Sequence, residues 1–338
     1  MIEATQAIKD MINSPIRRFS AKVELYNGST LAKTFTNKDS ITNFSIERVG
    51  EGKFFGFGIC QKLKLALMDR NRELNLTNNN SFSIALGAGE DYVNSFPIFQ
   101  MQEATRDENT NSLNIVAYDA LYKASAHRVE ELEIQAPYTI AQFATACASF
   151  LGLGASIPDL EVFNVSYETV NFEGTETIRE ALNAVAEATQ TIYFVSPLGD
   201  LTFKRLDKNG EPALTIDKAQ YITLSSKDNK TLSTIVSATE LGDNISASNG
   251  AEGETQYIRN NPFWELQENI GELVEGAIEA VDGLTINQFA STWKGNFLLE
   301  LGDKISFVTK ETTTGTIDVN ALVTTKTSPV NLLRSSPV

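Results

Sequence analysis

The residues of this sequence that could do chemistry are few, and their spacing favours no catalytic arrangement. His127 is the single histidine, so a nucleophile activated by an imidazole base would have to lie beside it. It stands in YKASAHRVEE, at an apparent boundary between two units, where a surface role is the simpler interpretation. A zinc site needs about four nitrogen or sulfur ligands, which one histidine with the distant Cys60 and Cys147 does not supply. We therefore predict no catalytic residue, no metal and no cofactor.

Other segments that could hold a ligand also have the wrong spacing. FFGFGIC places Gly56 and Gly58 at the entry to a strand, so a bulge or a close backbone contact is favoured over a phosphate loop. GDNISASNG offers Asp243 and Asn244, but it lacks the spaced oxygen ligands and the final Glu of a calcium loop. Among 43 acidic residues, no pair of carboxylates is singled out for glycoside hydrolysis.

One stretch has an unusual charge pattern. Residues 264–282, WELQENIGELVEGAIEAVD, predict a helix with six acidic residues and no Lys or Arg. Like charges four residues apart repel by roughly 0.2–0.5 kcal/mol per pair, so this pattern weakens the helix. The glutamates at spacings of four, three and four share one face, and they are Glu268, Glu272, Glu275 and Glu279. The pattern alone does not show what this stripe is for, and a solvated outer face is the simplest explanation.

Two tryptophans, Trp264 and Trp293, flank the acidic stretch. If their rings were exposed, they could form a platform for a sugar. If they were buried, they would anchor packing inside the chain or an interface with a partner, which are common positions for large aromatic side chains. We favour packing or interface anchors.

The elements that must position these residues form two different kinds of unit in the first two thirds of the chain. Residues 1–127 alternate polar and apolar side chains, as in AKVELYNG and QKLKLALMD, and predict a β-barrel or sandwich. Residues 128–235 predict an α+β unit. Its two helices should follow the capping boxes that begin at Thr139 and Thr177, and a hairpin should form about residues 197–200.

The last third of the chain returns to β structure. Residues 236–325 predict a second β domain that contains the acidic helix 264–282, and residues 326–338 predict a C-terminal arm. The predicted fold class is therefore α+β and rich in β structure. Two β domains of the barrel or sandwich type are separated by an α+β insertion.

The net charge of −15 is unevenly distributed along the chain. Residues 1–128 hold 15 basic and 14 acidic residues, whereas the remaining residues hold 13 and 29. The acidic part should not bind nucleic acid through a basic patch. No run of about 18 apolar residues and no signal peptide is found, so we expect no membrane span. Two distant cysteines do not suggest a disulfide framework, which is consistent with synthesis in the cytoplasm.

Several segments, taken in order, resemble one known family. SPIRRFSAKVELYNG, FFGFGICQKLKLAL and SLNIVAYDALYK are followed by TIAQFATACASFLGL and GTETIREALNAVAEATQTIYFVSPLGDLTF. RNNPFW and FASTWKGNFLLELGDKISF, with its Trp-x-Gly and Gly-Asp patterns, come last. Over residues 14–325 this order resembles phage and prophage tail proteins of the baseplate-hub type. Some members are labelled tail endopeptidases, but no nucleophile and base pair supports that activity here.

The resemblance implies a hub-type ring subunit at the distal end of a phage tail. Three copies would form a ring of pseudo-sixfold symmetry that continues the tail tube and lets DNA pass during genome ejection. In such a ring the acidic stripe would face the lumen or its mouth and repel DNA phosphates, and a solvated outer face is the alternative. Implied partners are the chain itself, the tail tube, the tape measure protein and receptor-binding or spike proteins, without sequence-specific nucleic-acid binding. The protein would be made in the bacterial host and reside in the virion. A tail-associated peptidoglycan hydrolase and a carbohydrate-binding host adhesin are the alternatives.

Overall fold

The structure, a computed structural model, describes most of the chain. The described residues are 1–14, 17–38, 40–49, 53–168, 170, 172, 177–207, 210–226, 230–238, 244–265, 267, 269–282, 284–286, 289–293, 295–312, 315–322 and 328–330.

The N-terminal part of the chain is built mainly from antiparallel strands. Its elements are α1 (Gln6–Asn13), β1 (Ser20–Asn27), β2 (Thr30–Thr36), β3 (Ile41–Val49), β4 (Phe57–Met68), β5 (Asn80–Ala88), β6 (Asp91–Asn94), β7 (Phe99–Asp107), β8 (Ser112–Tyr118) and α2 (Leu121–Ala124). Burial alternates along these strands as the sequence predicted. Leu63, Leu65 and Leu67 of β4 are buried, while Lys62 and Lys64 point outward. Most inward residues of these strands form one hydrophobic core, onto which Ile8 and Ile12 of α1 pack.

The middle of the chain contains two helices that pack against short strands. Its elements are β9 (Tyr138–Thr139), α3 (Ile140–Phe150), β10 (Gly154–Ser156), β11 (Ser166–Tyr167), α4 (Ile178–Ala188), β12 (Ile192–Val195), β13 (Asp200–Lys204), β14 (Leu214–Ile216), β15 (Tyr221–Ser226) and β16 (Lys230–Ala238). Both predicted capping boxes are confirmed. Thr139 exchanges hydrogen bonds with Gln142, and Thr177 with Glu180. The predicted hairpin is confirmed as well, since β12 and β13 pair across the turn at 197–199.

One sheet joins the first and middle parts. Its strand order is β10-β13-β12-β4-β8-β7-β5-β1-β2, with β3 beside β4 and β6 beside β5. The joint is a parallel pairing of β12 with β4, in which Ile192, Tyr193 and Phe194 lie opposite Phe57, Gly58 and Ile59. The pairing path through the described residues is open, because β10 and β2 stand at its ends.

The last part of the chain combines short sheets with one helix. Its elements are β17 (Asn244–Ser248), β18 (Glu254–Arg259), α5 (Ile270–Ala280), β19 (Thr285–Ile286), β20 (Phe289–Trp293), β21 (Lys304–Thr312), β22 (Gly315–Leu322) and β23 (Ser328–Val330). β16 pairs with β17, β18 and β19, and β20 pairs with β15. β21 lies between β14 and β22. Within the predicted arm, β23 pairs with β3, and the other residues of the arm lie outside the described ranges.

The acidic helix is shorter than predicted. The sequence predicts a helix over 264–282, but α5 spans Ile270–Ala280. The chain turns at Asn261 instead, because its carbonyl accepts the N–H groups of Trp264 and Glu265 and its side chain accepts the N–H of Phe263. This turn buries Phe263 and Trp264 in the core, and their burial overrides the helical pattern.

The predicted fold class is confirmed, because strands hold 42% of the residues and helices 20%, in several sheets. Among the described helices, none is both long and apolar enough to cross a membrane.

Candidate functional site

The acidic face of α5 is the most distinctive surface among the predicted site residues. Glu272, Glu275 and Glu279 are all exposed. The opposite face of the helix is apolar and packs on β16 and β17 through Val274, Ala277 and Ile278. Burial of this face therefore fixes the direction in which the three glutamates point. Glu268, the fourth predicted member, lies outside the described residues.

The exposed glutamates of α5 have few partners in the described part of the chain. Asn269 donates its side-chain N–H to Glu272 Oε2 at 3.3 Å. No Lys or Arg of the described residues forms an ion pair with Glu272, Glu275 or Glu279. At the end of the helix, Asp282 accepts a hydrogen bond from the Asn249 amide at 2.7 Å. Within the described part of the chain, this face therefore presents carboxylates to solvent without a basic partner at Glu272, Glu275 or Glu279, and such carboxylates repel phosphate and attract cations.

The two tryptophans occupy different positions. Trp264 is 2% exposed and lies in the same hydrophobic core as the apolar face of α5. A sugar platform requires an accessible ring face, so the burial of Trp264 argues against that alternative for this residue. The backbone of Trp293 pairs with Tyr221, and its side chain lies outside the described part of the structure.

His127 lies at the surface. Its Nδ1 is 3.0 Å from Glu131 Oε2, and its ring packs edge-on against Phe150. The described residues contain no group of three or more His, Cys, Asp or Glu side chains placed to share a metal ion.

The two glycines of FFGFGIC lie where the first and middle parts of the chain meet, and the predicted close contact is confirmed. A Cβ atom on Gly58 would overlap the Tyr193 ring, and one on Gly56 would overlap the Glu187 side chain. Gly56 also has a positive φ of 81° and donates its N–H to the Thr191 carbonyl at 2.8 Å. Glycine at these positions lets β12 and α4 approach β4.

A buried carboxylate lies beside this joint. Asp119 Oδ2 accepts the Gln61 N–H at 2.8 Å, and Oδ1 accepts the Leu121 N–H at 3.1 Å and the Cys60 thiol at 3.2 Å. Burial raises the pKa of Asp119 to about 6, although these hydrogen bonds and the charge of Arg179 favour the ionised form. Burial also raises the pKa of the Cys60 thiol, which makes it a poor nucleophile.

A buried arginine lies on the other side of β4. Arg48 donates Nε to Gln61 Oε1 at 2.6 Å, and burial lowers its pKa to about 10. Gln61 in turn donates to the Val195 carbonyl at 2.9 Å, which links β3 to β12. Arg48 Nη1 and Ser95 Oγ have no hydrogen-bond partner in the described residues, and both residues line a small recess together with Gln61 and Val195.

Arg48, Asp119 and the aromatic pair of half-buried Tyr118 and exposed Tyr122 were not predicted from the sequence. A weak signal existed, because Asp119 directly follows an alternating strand and Arg48 occupies an inward position of β3. A charge at an inward position indicates a buried network.

Comparisons with known proteins find similarity of structure but not of sequence. No family model matches the sequence, and no curated protein matches it. The tail protein from Neisseria meningitidis MC58 aligns with a TM-score of 0.57 at 12% identity, over 90% of each chain. The 43 kDa tail protein of prophage MuSo2 from Shewanella oneidensis aligns with a TM-score of 0.57 at 10% identity, over 90% of this chain and 93% of that one. The chain has the fold of phage tail proteins.

A third solved structure shares this tail-protein fold. It is the prophage tail protein gp18 from Listeria monocytogenes EGD-e, with a TM-score of 0.51 at 13% identity, over 91% of this chain and 90% of that one. The predicted resemblance to phage and prophage tail proteins is thus confirmed for the fold. Since all three solved structures align over about nine tenths of both chains, the shared fold includes the first, middle and last parts described above.

Proposed function

We propose that this chain is a structural component of a phage or prophage tail tip or baseplate. Three copies form a hub ring that continues the tail tube and lets DNA pass. The observation that supports this function is the tail-protein fold shared over 90% of the chain. The aligned region leaves about a tenth of the chain outside that fold. Within it, His127 lies at the surface, and burial makes the Cys60 thiol a poor nucleophile.

The acidic stripe is assigned a role in the same ring. Glu272, Glu275 and Glu279, together with Glu268, face the lumen or its mouth and keep DNA from adsorbing. The exposure of the three described glutamates on one face of α5 supports this role. Repulsion between carboxylates and phosphates acts within a Debye length of about 8 Å at physiological salt. The alternative is an outer helix face that only contacts solvent.

The proposed partners follow from the position of the hub. They are two further copies of the chain, the tube proteins above it, and the tape measure and receptor-binding or spike proteins near it. The protein resides in the virion and binds no specific nucleic-acid sequence. Trp293 remains a proposed packing or interface anchor, together with Trp264.

The assembly test measures the mass of the purified full chain and then images it by negative-stain electron microscopy. We expect rings of three copies. High salt should preserve or strengthen them, because screening weakens repulsion between copies that each carry a net charge of −15. A monomeric mass at high protein concentration and high salt contradicts the proposal.

A second measurement separates the structural function from the two alternatives. Purified peptidoglycan incubated with the protein should release no fragments, whereas reproducible release that is lost after one Glu or Asp substitution supports a hydrolase. Tight binding of a host glycan by the monomer supports an adhesin.

A further inference from the structure

We propose that Ile98, Tyr118 and Tyr122 form a surface through which the N-terminal sheet of one copy binds a second copy of this chain. The inference rests on the proposed ring, and it names a contact surface within it. We call these three residues the sheet-end patch.

The three residues of the sheet-end patch lie at one end of the N-terminal sheet. Gln100 of β7 is paired with Tyr118 at the end of β8. Ile98 directly precedes β7, and Tyr122 lies in α2 just after β8. Because β7 and β8 are antiparallel, the start of β7 and the end of β8 lie at the same end of the sheet. Ile98 and Tyr122 therefore lie on the same side of the molecule.

The patch is both exposed and ordered by contacts within the chain. Ile98 is 54% exposed and Tyr122 is 46% exposed. The rings of Tyr118 and Tyr122 stack with centroids 4.5 Å apart and an angle of 21° between their planes. Lys62 Nζ lies 5.5 Å from the centroid of the Tyr118 ring. Rings held in this way lose little conformational entropy when a partner binds.

The composition of the patch fits a protein partner. Tyrosine and apolar side chains grouped together with a polar rim are typical of the centre of a protein interface. The other strongly exposed apolar residues of the described chain are on separate elements, such as Leu198 at the tip of the β12–β13 hairpin and Tyr257 on β18. A sugar site would instead be a recess with several convergent polar groups.

The distribution of charge indicates that the partner is a second copy. Residues 1–128 carry a net charge of +1, whereas the rest of the chain carries −16. Two copies that meet through their acidic parts repel each other, whereas a contact to which one copy contributes its nearly neutral part adds little repulsion. Beside the patch, the outer face of the sheet carries both signs, since Lys62 lies opposite Glu47 and Lys64 forms an ion pair with Glu47. A contact at this end therefore brings no excess of one charge to the interface.

The test compares two double variants of the full chain that leave the net charge unchanged. Ile98→Asn with Tyr122→Asn removes the patch. Leu198→Asn with Tyr257→Asn removes one aliphatic residue and one tyrosine elsewhere, which are at least as exposed as Tyr122, at 89% and 52%. Self-association is measured by sedimentation velocity from low to high protein concentration, and circular dichroism verifies the fold of each variant. We expect the patch variant to raise the dissociation constant at least about tenfold, and the control to change it less than about twofold.

Each outcome has a separate meaning. If the wild type assembles and the patch variant assembles equally well, the sheet-end patch is wrong while the proposed function stands. If the wild type is monomeric throughout, the proposed ring fails and the inference fails with it. Unchanged assembly together with loss of binding to host cell-wall polysaccharide would overturn the inference and make the tyrosine pair a glycan platform. If Tyr122→Asn does not fold, Tyr122→Phe with Ile98→Asn tests the same surface.

Discussion

Neutralising Asp119 should change how the stability of this protein depends on pH. The carboxyl is completely buried, and its pKa in the folded protein is about 6, against 3.8 for the free side chain. A raised carboxyl pKa means that ionisation is harder in the folded chain than in the unfolded chain. The stability that the protonated group provides is therefore fully present below pH 3.8 and is lost as the pH rises through 6. The rise of the pKa from 3.8 to about 6 corresponds to roughly 3 kcal/mol.

The variant Asp119→Asn carries a permanently neutral side chain that can still accept a hydrogen bond from Gln61 or Leu121. It should therefore lack the loss of stability that the wild type shows between pH 4 and 7. The free energy of unfolding of the variant minus that of the wild type should rise by about 2–3 kcal/mol over this range. Urea denaturation at half-unit pH intervals measures this difference. A constant offset between the two proteins at every pH would refute the reasoning.

Asp303→Asn is a matched control with the opposite sign. Asp303 is also buried, and burial alone would raise its pKa. The Glu300 N–H at 2.9 Å and Lys204 Nζ at 3.1 Å lower it instead. A lowered carboxyl pKa gives stability at neutral pH that is lost as the pH falls through the folded pKa. The difference between Asp303→Asn and the wild type should therefore become more negative as the pH rises.

Four further perturbations test other parts of the structure. Trp264→Ala should lower the free energy of unfolding by about 3–5 kcal/mol in urea, because it leaves a cavity beside α5, and a loss below about 1 kcal/mol would contradict this burial. Gly58→Ala should cost about 1–3 kcal/mol through overlap with the Tyr193 ring. In contrast, Gly271→Ala has open space in α5 and should stabilise the protein by up to about 1 kcal/mol. Lys at the four positions of the acidic stripe should leave particle yield unchanged but slow DNA ejection triggered in vitro, most strongly at low salt, whereas Gln should not. Wild-type ejection by the Lys variant at every salt concentration would support the solvated outer face. The four substituted positions are Glu268, Glu272, Glu275 and Glu279.

Local structure was predictable from sequence where neighbouring residues determine it. The capping boxes at Thr139 and Thr177 mark the starts of α3 and α4, because their hydrogen bonds join residues only three positions apart. Alternation along β4 indicates its buried face, since successive side chains of any strand point to opposite sides. The glycines at 56 and 58 indicated a close approach without revealing which element approaches.

Features that depend on distant residues were not predictable in this way. The pairing of β4 with β12 joins residues more than 130 positions apart, and no local pattern specifies it. The predicted start of α5 was wrong for a related reason. Periodicity alone extends the helix back to Trp264, whereas the core formed with distant residues pulls Phe263 and Trp264 into a turn. The tendency of a segment to be helical is weak beside the burial of two large aromatic side chains.

The joint between β4 and β12 has a mechanical consequence. The first half of β4, with Phe57 and Ile59, lies in the core of the middle part, whereas the second half, with Leu63 and Leu65, lies in the core of the N-terminal sheet. A single strand of twelve residues therefore passes through both cores. Tension applied along the β12–β13 hairpin loads its hydrogen bonds to β4 in shear, so that several must break together rather than one after another. Force that reaches this hairpin is transmitted to the N-terminal sheet as displacement of the whole strand, without a hinge between them.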